Sequence, residues 1–138
     1  MTNSKAFHDV EKPVRDWLRG LATTGVGTRV FLGLPERCTY PAADISLIDG
    51  GIQNDTEAPL ADCQFTMSIW GGARPATAAA AWELASAIEN LTSGTALDTP
   101  VTCYGMGARV ILGPLYRPDP NDNQPRYILD FVVTIRPA

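Results

Sequence analysis

Histidine occurs once in the 138-residue chain, at His8, and cysteine three times, at Cys38, Cys63 and Cys103, with no C-x-x-C pair. A zinc site needs clustered imidazole or thiolate ligands, so this scarcity argues against one. An odd cysteine count, in a chain long enough to build its own core, argues equally against a disulfide scaffold. Cys63 and Cys103 fall in strand-like segments and are read as buried thiols, Cys38 as a loop thiol. Lysine is scarce too, two against nine arginines, and the formal charge is −4 with a pI near 4.8. Neutralising phosphates takes clustered cations, so a general nucleic-acid-binding surface is disfavoured. No apolar run approaches the ~20 residues of a helical membrane span, and residues 1–9 are polar with no apolar signal core. The expectation is a soluble chain that is not exported, which leaves the N-x-T sequons at Asn54 and Asn90 as decoys.

What the chain does have is 45% hydrophobic and 19% charged residues, enough for a core, and 12 glycines with 11 prolines, which demand many turns. One domain spanning residues 1–138 is expected. Val10, Val14, Trp17, Leu18 and Leu21 recur at helical spacing with charged residues opposite, so a first amphipathic helix begins between Asp9 and Pro13 and frays near Gly20 to Gly25. A short strand follows at 29–34, then a loop bracketed by Pro35 and Pro41, then a strand at 44–49. Residues 49–61 are acidic and Gly-rich and are read as a projecting loop. From 62 to 70, Cys63, Phe65, Met67 and Ile69 alternate with Gln64, Thr66, Ser68 and Trp70, the period of a strand with one face in a core.

Pro75 opens a second helix, whose stripe is Ala78, Ala81, Leu84, Ala85, Ile88 and Leu91. A strand at 100–116 is interrupted at Gly105 and Gly107, which predicts a bulge. In the last strand, 126–136, Tyr127, Leu129, Phe131, Val133 and Ile135 share one face. Between them residues 117–125 hold three prolines and no apolar side chain, so a loop is required. The order α-β-β-β-α-β-β makes an α+β fold, an antiparallel sheet with both helices on one face. Trp17 belongs to the first apolar stripe. Trp82 adjoins the second and is expected to widen it in the core. Trp70 lies on the polar strand face, where an aromatic covers a loop or joins an interface.

Catalytic signals are missing. There is no nucleophile with a base, no paired carboxylates in a pocket pattern, and no phosphate loop; Gly105-Met106-Gly107 lacks a third glycine and does not precede a helix. Asp49, Asp55 and Glu57 could chelate calcium only with the D-x-D-x-D-G spacing they lack, so they are read as an acidic solvated loop. Neither an enzyme nor a cofactor is expected.

Certain phrases carry a family likeness. Arg29-Val30-Phe31-Leu32-Gly33-Leu34-Pro35 after a helix, Ser68-Ile69-Trp70-Gly71-Gly72 before an Ala-rich helix, and a proline-studded loop leading to Arg126-Tyr127-Ile128-Leu129-Asp130-Phe131 together resemble the tail terminator (tail completion, head-tail joining) proteins of long-tailed bacteriophages. The resemblance covers nearly the whole chain. It implies a homo-hexameric ring that caps the tail tube, ends tail polymerisation and joins the tail to a neck protein at the head-proximal end of the virion, after assembly in the host cytoplasm. DNA would pass through its lumen without specific binding. The interface residues expected on this reading are Trp70, Asp49, Asp55, Glu57, Arg117, Asp119, Asp122 and Arg126. Another neck component, such as a head-closure or stopper protein, or a minor tail subunit is the nearest alternative. A small α+β ligand-binding module is more distant, because it calls for polar residues on the inner strand face.

Overall fold

In the computed structural model, residues 9–50 and 60–138 are described. The loop expected at 49–61, with Asp55 and Glu57, and His8 therefore lie almost wholly outside the described residues. The chain runs through helix α1 (Glu11–Leu21), strands β1 (Val30–Phe31), β2 (Ala42–Asp49) and β3 (Ala61–Trp70), helix α2 (Arg74–Glu89), and strands β4 (Thr95–Ala96), β5 (Cys103–Tyr116) and β6 (Arg126–Pro137). The strands form one six-stranded sheet in the order β1-β2-β3-β6-β5-β4.

At its centre β3 and β6 run antiparallel in unbroken register from Ala61 opposite Ile135 to Trp70 opposite Arg126. The period of two puts Phe65 on Phe131, Met67 on Leu129 and Ile69 on Tyr127, all on one face. The rings of Phe65 and Phe131 stack with centroids 5.3 Å apart. Ile45 and Leu47 of β2 extend this face beside Met67 and Phe65. Val14, Trp17 and Leu18 of α1 close it on one side and Ala81, Leu84 and Ile88 of α2 on the other, giving one continuous core. Small side chains on α2 permit close approach: a Cβ on Gly25, in the connection after α1, would lie 2.8 Å from that of Ala80.

The structure departs from the sequence expectation in four places. The sheet is mixed rather than antiparallel, because the loop after β1 carries the chain back before β2 begins, so these two strands run parallel with Val30 opposite Ala43. The first strand is two residues long rather than six. A further two-residue strand, β4, pairs with Gly105 and Tyr104. Trp82 is 59% exposed on α2 rather than in the core, since the small alanines beside it already fill the space against the sheet. The bulge expected at Gly105 and Gly107 is present, and β5 shifts register twice more before Tyr116.

Beyond the two-residue strands β1 and β4, the outward-facing amides of β2 and β5 have no strand to accept them, and helical glutamates do so instead. Glu11 Oε2 accepts the Leu47 amide at 2.8 Å, beside the shift in β2. Glu89 Oε2 accepts the Val110 amide at 2.7 Å, beside a shift in β5. Glu83 clamps the connection after α1, accepting from the amides of Thr24 at 2.9 Å and Gly25 at 3.0 Å and from the Thr24 hydroxyl at 2.8 Å. Those donors, the Gly25 amide foremost, hold the Glu83 carboxyl below its usual 4.5.

Two outcomes follow from this packing. Phe131→Ala removes half of the stacked pair at the sheet centre and should destabilise the protein by ~3–5 kcal/mol in a denaturant titration; a loss under about 1 kcal/mol would show that Phe131 is not central to the core. Because the folded Glu83 carboxyl is more acidic than the unfolded one, its stabilisation is present above about pH 4.5 and disappears as pH falls through the folded value. Glu83→Ala should therefore lower the melting temperature at pH 7, by an amount equivalent to about 1–2 kcal/mol, and the gap between variant and wild type should narrow in melts below pH 4.

Candidate functional site

Both helices cover the same face of the sheet, so the opposite face of β2, β3 and β6 has no helix above it among the described residues. Along its centre β3 contributes polar side chains and β6 mostly apolar ones: Gln64, Thr66 and Ser68 stand across from Val132, Asp130 and Ile128, and Val132 is buried. Asp62 accepts the Thr134 hydroxyl at 2.6 Å. Each end of the face is marked by an arginine laid over an aromatic ring. Arg126 sits 4.9 Å from the centre of the Trp70 ring and Arg136 4.7 Å from that of Tyr104, geometry in which the cation meets the negative face of the ring.

The Trp70 end is the more elaborate. The Trp70 indole N–H donates to Asp44 Oδ1 at 3.3 Å. Burial raises the Asp44 carboxyl above its ordinary value, against the opposing pull of the indole N–H and of Arg126. Arg126 Nε donates to the Arg117 carbonyl at 2.8 Å, and the Arg117 amide donates back to the Arg126 carbonyl at 2.9 Å, which closes the base of the 117–125 loop. The same end has a counterpart on the helix side of the sheet. Arg74, at the start of α2, lies 3.9 Å from the centre of the Tyr116 ring and donates from Nε to the Tyr127 hydroxyl at 3.3 Å.

The loop itself is built from short side-chain-to-backbone turns. Asp119 Oδ1 accepts the Asn121 amide at 2.7 Å, and Asp122 Oδ1 the Gln124 amide at 3.0 Å, the pattern by which Asp substitutes for a backbone turn. Asn123, at φ 62°, takes the left-handed conformation that Asn tolerates. Gln124 Nε2 then reaches the Gly71 carbonyl at 3.3 Å and the Gly71 amide donates to the Pro125 carbonyl at 3.1 Å, so the loop is tied to the segment after Trp70. Gly71 is required here, since a Cβ would overlap the Thr77 hydroxyl of α2.

Of the residues expected from the sequence, Trp70, Arg117, Asp119, Asp122 and Arg126 thus come together at one end of the sheet. Asp49 does not join them. It pairs with Gln64, six residues up β3 from Trp70 and ~20 Å away along the strand. The partners Asp44, Arg74 and Gln124 were not anticipated. Only the alternation of β2 could have placed Asp44 on the Trp70 face, and no local pattern joins Arg74 to Tyr116. Burial holds the Cys63 and Cys103 thiols protonated, both pushed up to about 11, and Cys38 is a half-buried free thiol. No helix is long and apolar enough to cross a membrane, among the described residues.

No protein-family model matches the sequence, and no match is found among curated proteins. Among solved structures, a chain from the virion of a native gene transfer agent (GTA) particle has the same fold, with a TM-score of 0.63 and 20% identity over 92% of this chain and 94% of that one.

The arginine over Trp70 generates a local prediction. Arg126→Ala removes both the stack and the bond to the Arg117 carbonyl, so hydrogen exchange should accelerate at the amides of residues 117–124 while β3 and β6 core amides keep their protection. Unchanged exchange in the loop would show that Arg126 does not hold it.

Proposed function

We propose that this chain is a structural protein of a phage-like virion, and specifically a tail terminator: a ring-forming subunit that caps the tail tube, ends its growth and joins the tail to the head or neck. The observation that carries this reading is the agreement of fold, across nearly the full length of both chains, with a component of a virion particle. The tail-terminator phrases in the sequence point the same way. So does the inner strand face, which is filled by Phe65, Met67, Leu129 and Phe131, where a ligand-binding module calls for polar residues.

In this reading the whole chain is one such subunit, and its partners are further copies of itself, the last ring of tail-tube protein and a head-tail connector. DNA passes through the lumen, where the chain's net charge of −4 opposes adhesion to phosphates. The loop at 117–125 serves as a docking arm. Its proline content and its internal turns fix its shape in advance, which lowers the ordering penalty on binding. Trp70, Arg117, Asp119, Asp122 and Arg126 form its contact surface, and Asp49, Asp55 and Glu57 serve a second contact.

The test combines light-scattering mass with negative-stain imaging of purified protein mixed with isolated tail tubes. A ring of six copies and tubes capped at one end are expected. A chain that stays monomeric at high concentration and does not add to tubes overturns the reading. Replacing residues 119–124 with a short Gly/Ser turn should leave the melting temperature nearly unchanged and weaken attachment to tubes, whereas normal attachment and full infectivity would rule out the docking arm.

A further inference from the structure

The half-buried aromatic rings of this chain follow one rule. Phe31, Trp70, Tyr104 and Tyr116 each lie under an arginine of the chain itself, whose guanidinium carbon is between 3.9 and 5.4 Å from the ring centre. Trp82 is 59% exposed and has no such partner among the described residues, although an indole is the best ring for a cation. Tyr40 is exposed and bare as well. What surrounds Trp82 sets it apart.

Trp82, Ala85, Ser86 and Glu89 follow the i, i+3, i+4, i+7 spacing of a single helix face. That face of α2 encloses, with Val110 and Gly113 of β5, a groove of about 420 Å³. Ala85 and Val110 give it an apolar floor, and Glu89 is the one charged group on its lining. Glu89 Oε2 holds the Val110 amide at 2.7 Å, which fixes the carboxylate in place, while Oε1 has no partner among the described residues. The helix adds to the negative potential. α2 ends at Glu89, and no basic residue stands in its last turn to meet the C-terminal end of its macrodipole. An open ring, an apolar floor and an uncompensated carboxylate are thus gathered in one groove.

We propose that this groove is a receptor for an arginine side chain carried by a partner protein. The charge on its lining is of one sign and unmatched, so complementarity calls for a cation. Lysine would satisfy the charge alone. A guanidinium also lays its plane on the indole and turns its N–H groups to the carboxylate, while the aliphatic stem covers Ala85 and Val110. This is the contact that the chain makes four times within itself, here left for a neighbour to complete. The groove lies on the helix side of the sheet, apart from the 117–125 loop, and the inference holds whichever virion component this chain is.

The test is fluorine NMR of the full chain labelled with fluorotryptophan and titrated with N-acetyl-arginine methylamide. Trp17 is buried and Trp70 already carries Arg126, so both serve as internal references. Only the Trp82 signal should move; its loss in Trp82→Leu, or in Trp82→Phe should the first variant melt early, assigns it. The neutral citrulline compound of the same shape should bind at least about threefold more weakly, the difference expected for a cation over an exposed indole. Glu89→Gln keeps an oxygen for the Val110 amide while removing the charge, and it should weaken arginine binding by a similar factor. A Trp82 signal that stays still, equal binding of the citrulline compound, movement of all three signals alike, or full binding by Glu89→Gln overturns the proposal. So does a Trp82 signal that answers to protein concentration and not to arginine, which assigns the groove to a contact between copies. None of these outcomes touches the tube assay, which decides the terminator reading separately.

Discussion

Everything in this molecule is referenced to the ten-pair ladder between β3 and β6. Because side chains alternate strictly, a slip of one residue would turn Phe65, Met67, Leu129 and Phe131 out of the core together. That penalty fixes the register, and the stacking of Phe65 on Phe131 is its local expression. The irregular features are kept away from this pair: the bulge in β2 lies one strand out, and all three shifts of β5 lie on the other flank. A bulge in the central pair would break the alternation that buries the core, whereas one in a flanking strand only bends an edge.

Two helices are too few to cover a six-stranded sheet on both faces, and the consequences run through the rest of the chain. The face they leave open mixes the polar side chains of β3 with Ile128 and Val132 of β6, and it is closed at its ends by the Trp70–Arg126 and Tyr104–Arg136 stacks. The edges use glutamates from the helices. Glu11 and Glu89 flank the sheet in the same way on opposite sides, each turning a carboxylate to an outer-edge amide that the short β1 or β4 leaves without a strand partner. Charge-assisted bonds of this kind are stronger than neutral ones, and they place a negative group where an incoming strand would have to pair. A part of the chain's acidic excess is thus engaged in holding its own backbone.

The elements legible in the sequence were those that a period can encode. The alternations in 62–70 and 126–136 and the stripe of the second helix give the core directly, and Gly105 with Gly107 marks a bulge because a strand interior otherwise avoids glycine. β1 and β4 were not legible in their observed form: two residues carry no period, and nothing in Val30-Phe31 records which way it runs beside β2. Trp82 shows the limit of helical spacing, which places a residue beside a stripe without telling whether the alanines already fill the gap beneath it. At the candidate site, prolines announced the 117–125 loop and alternation placed Trp70 on the open face. The partners of Trp70 and the glutamate clamps join residues 21 to 59 positions apart, and no local pattern reports such distances.

The internal bonding of the loop bears on how it would recognise anything. Seen as a sequence, residues 117–125 present charges with nothing to fold upon, which suggests recognition by pairing Arg117, Asp119, Asp122 and Arg126 with complementary charges. The structure assigns most of those groups other duties. Asp119 and Asp122 each give one oxygen to the loop's own amides, and Arg126 gives its Nε to the Arg117 carbonyl and its plane to Trp70. Displacing them would unfold the turns that shape the loop, so a partner gains less from their charge than from the fixed contour they maintain. If this end of the sheet is the proposed docking surface, recognition there would be better served by shape, with the half-buried Trp70 ring and the prolines as its apolar content. Charge steering would then fall to exposed residues away from the loop, such as Arg109.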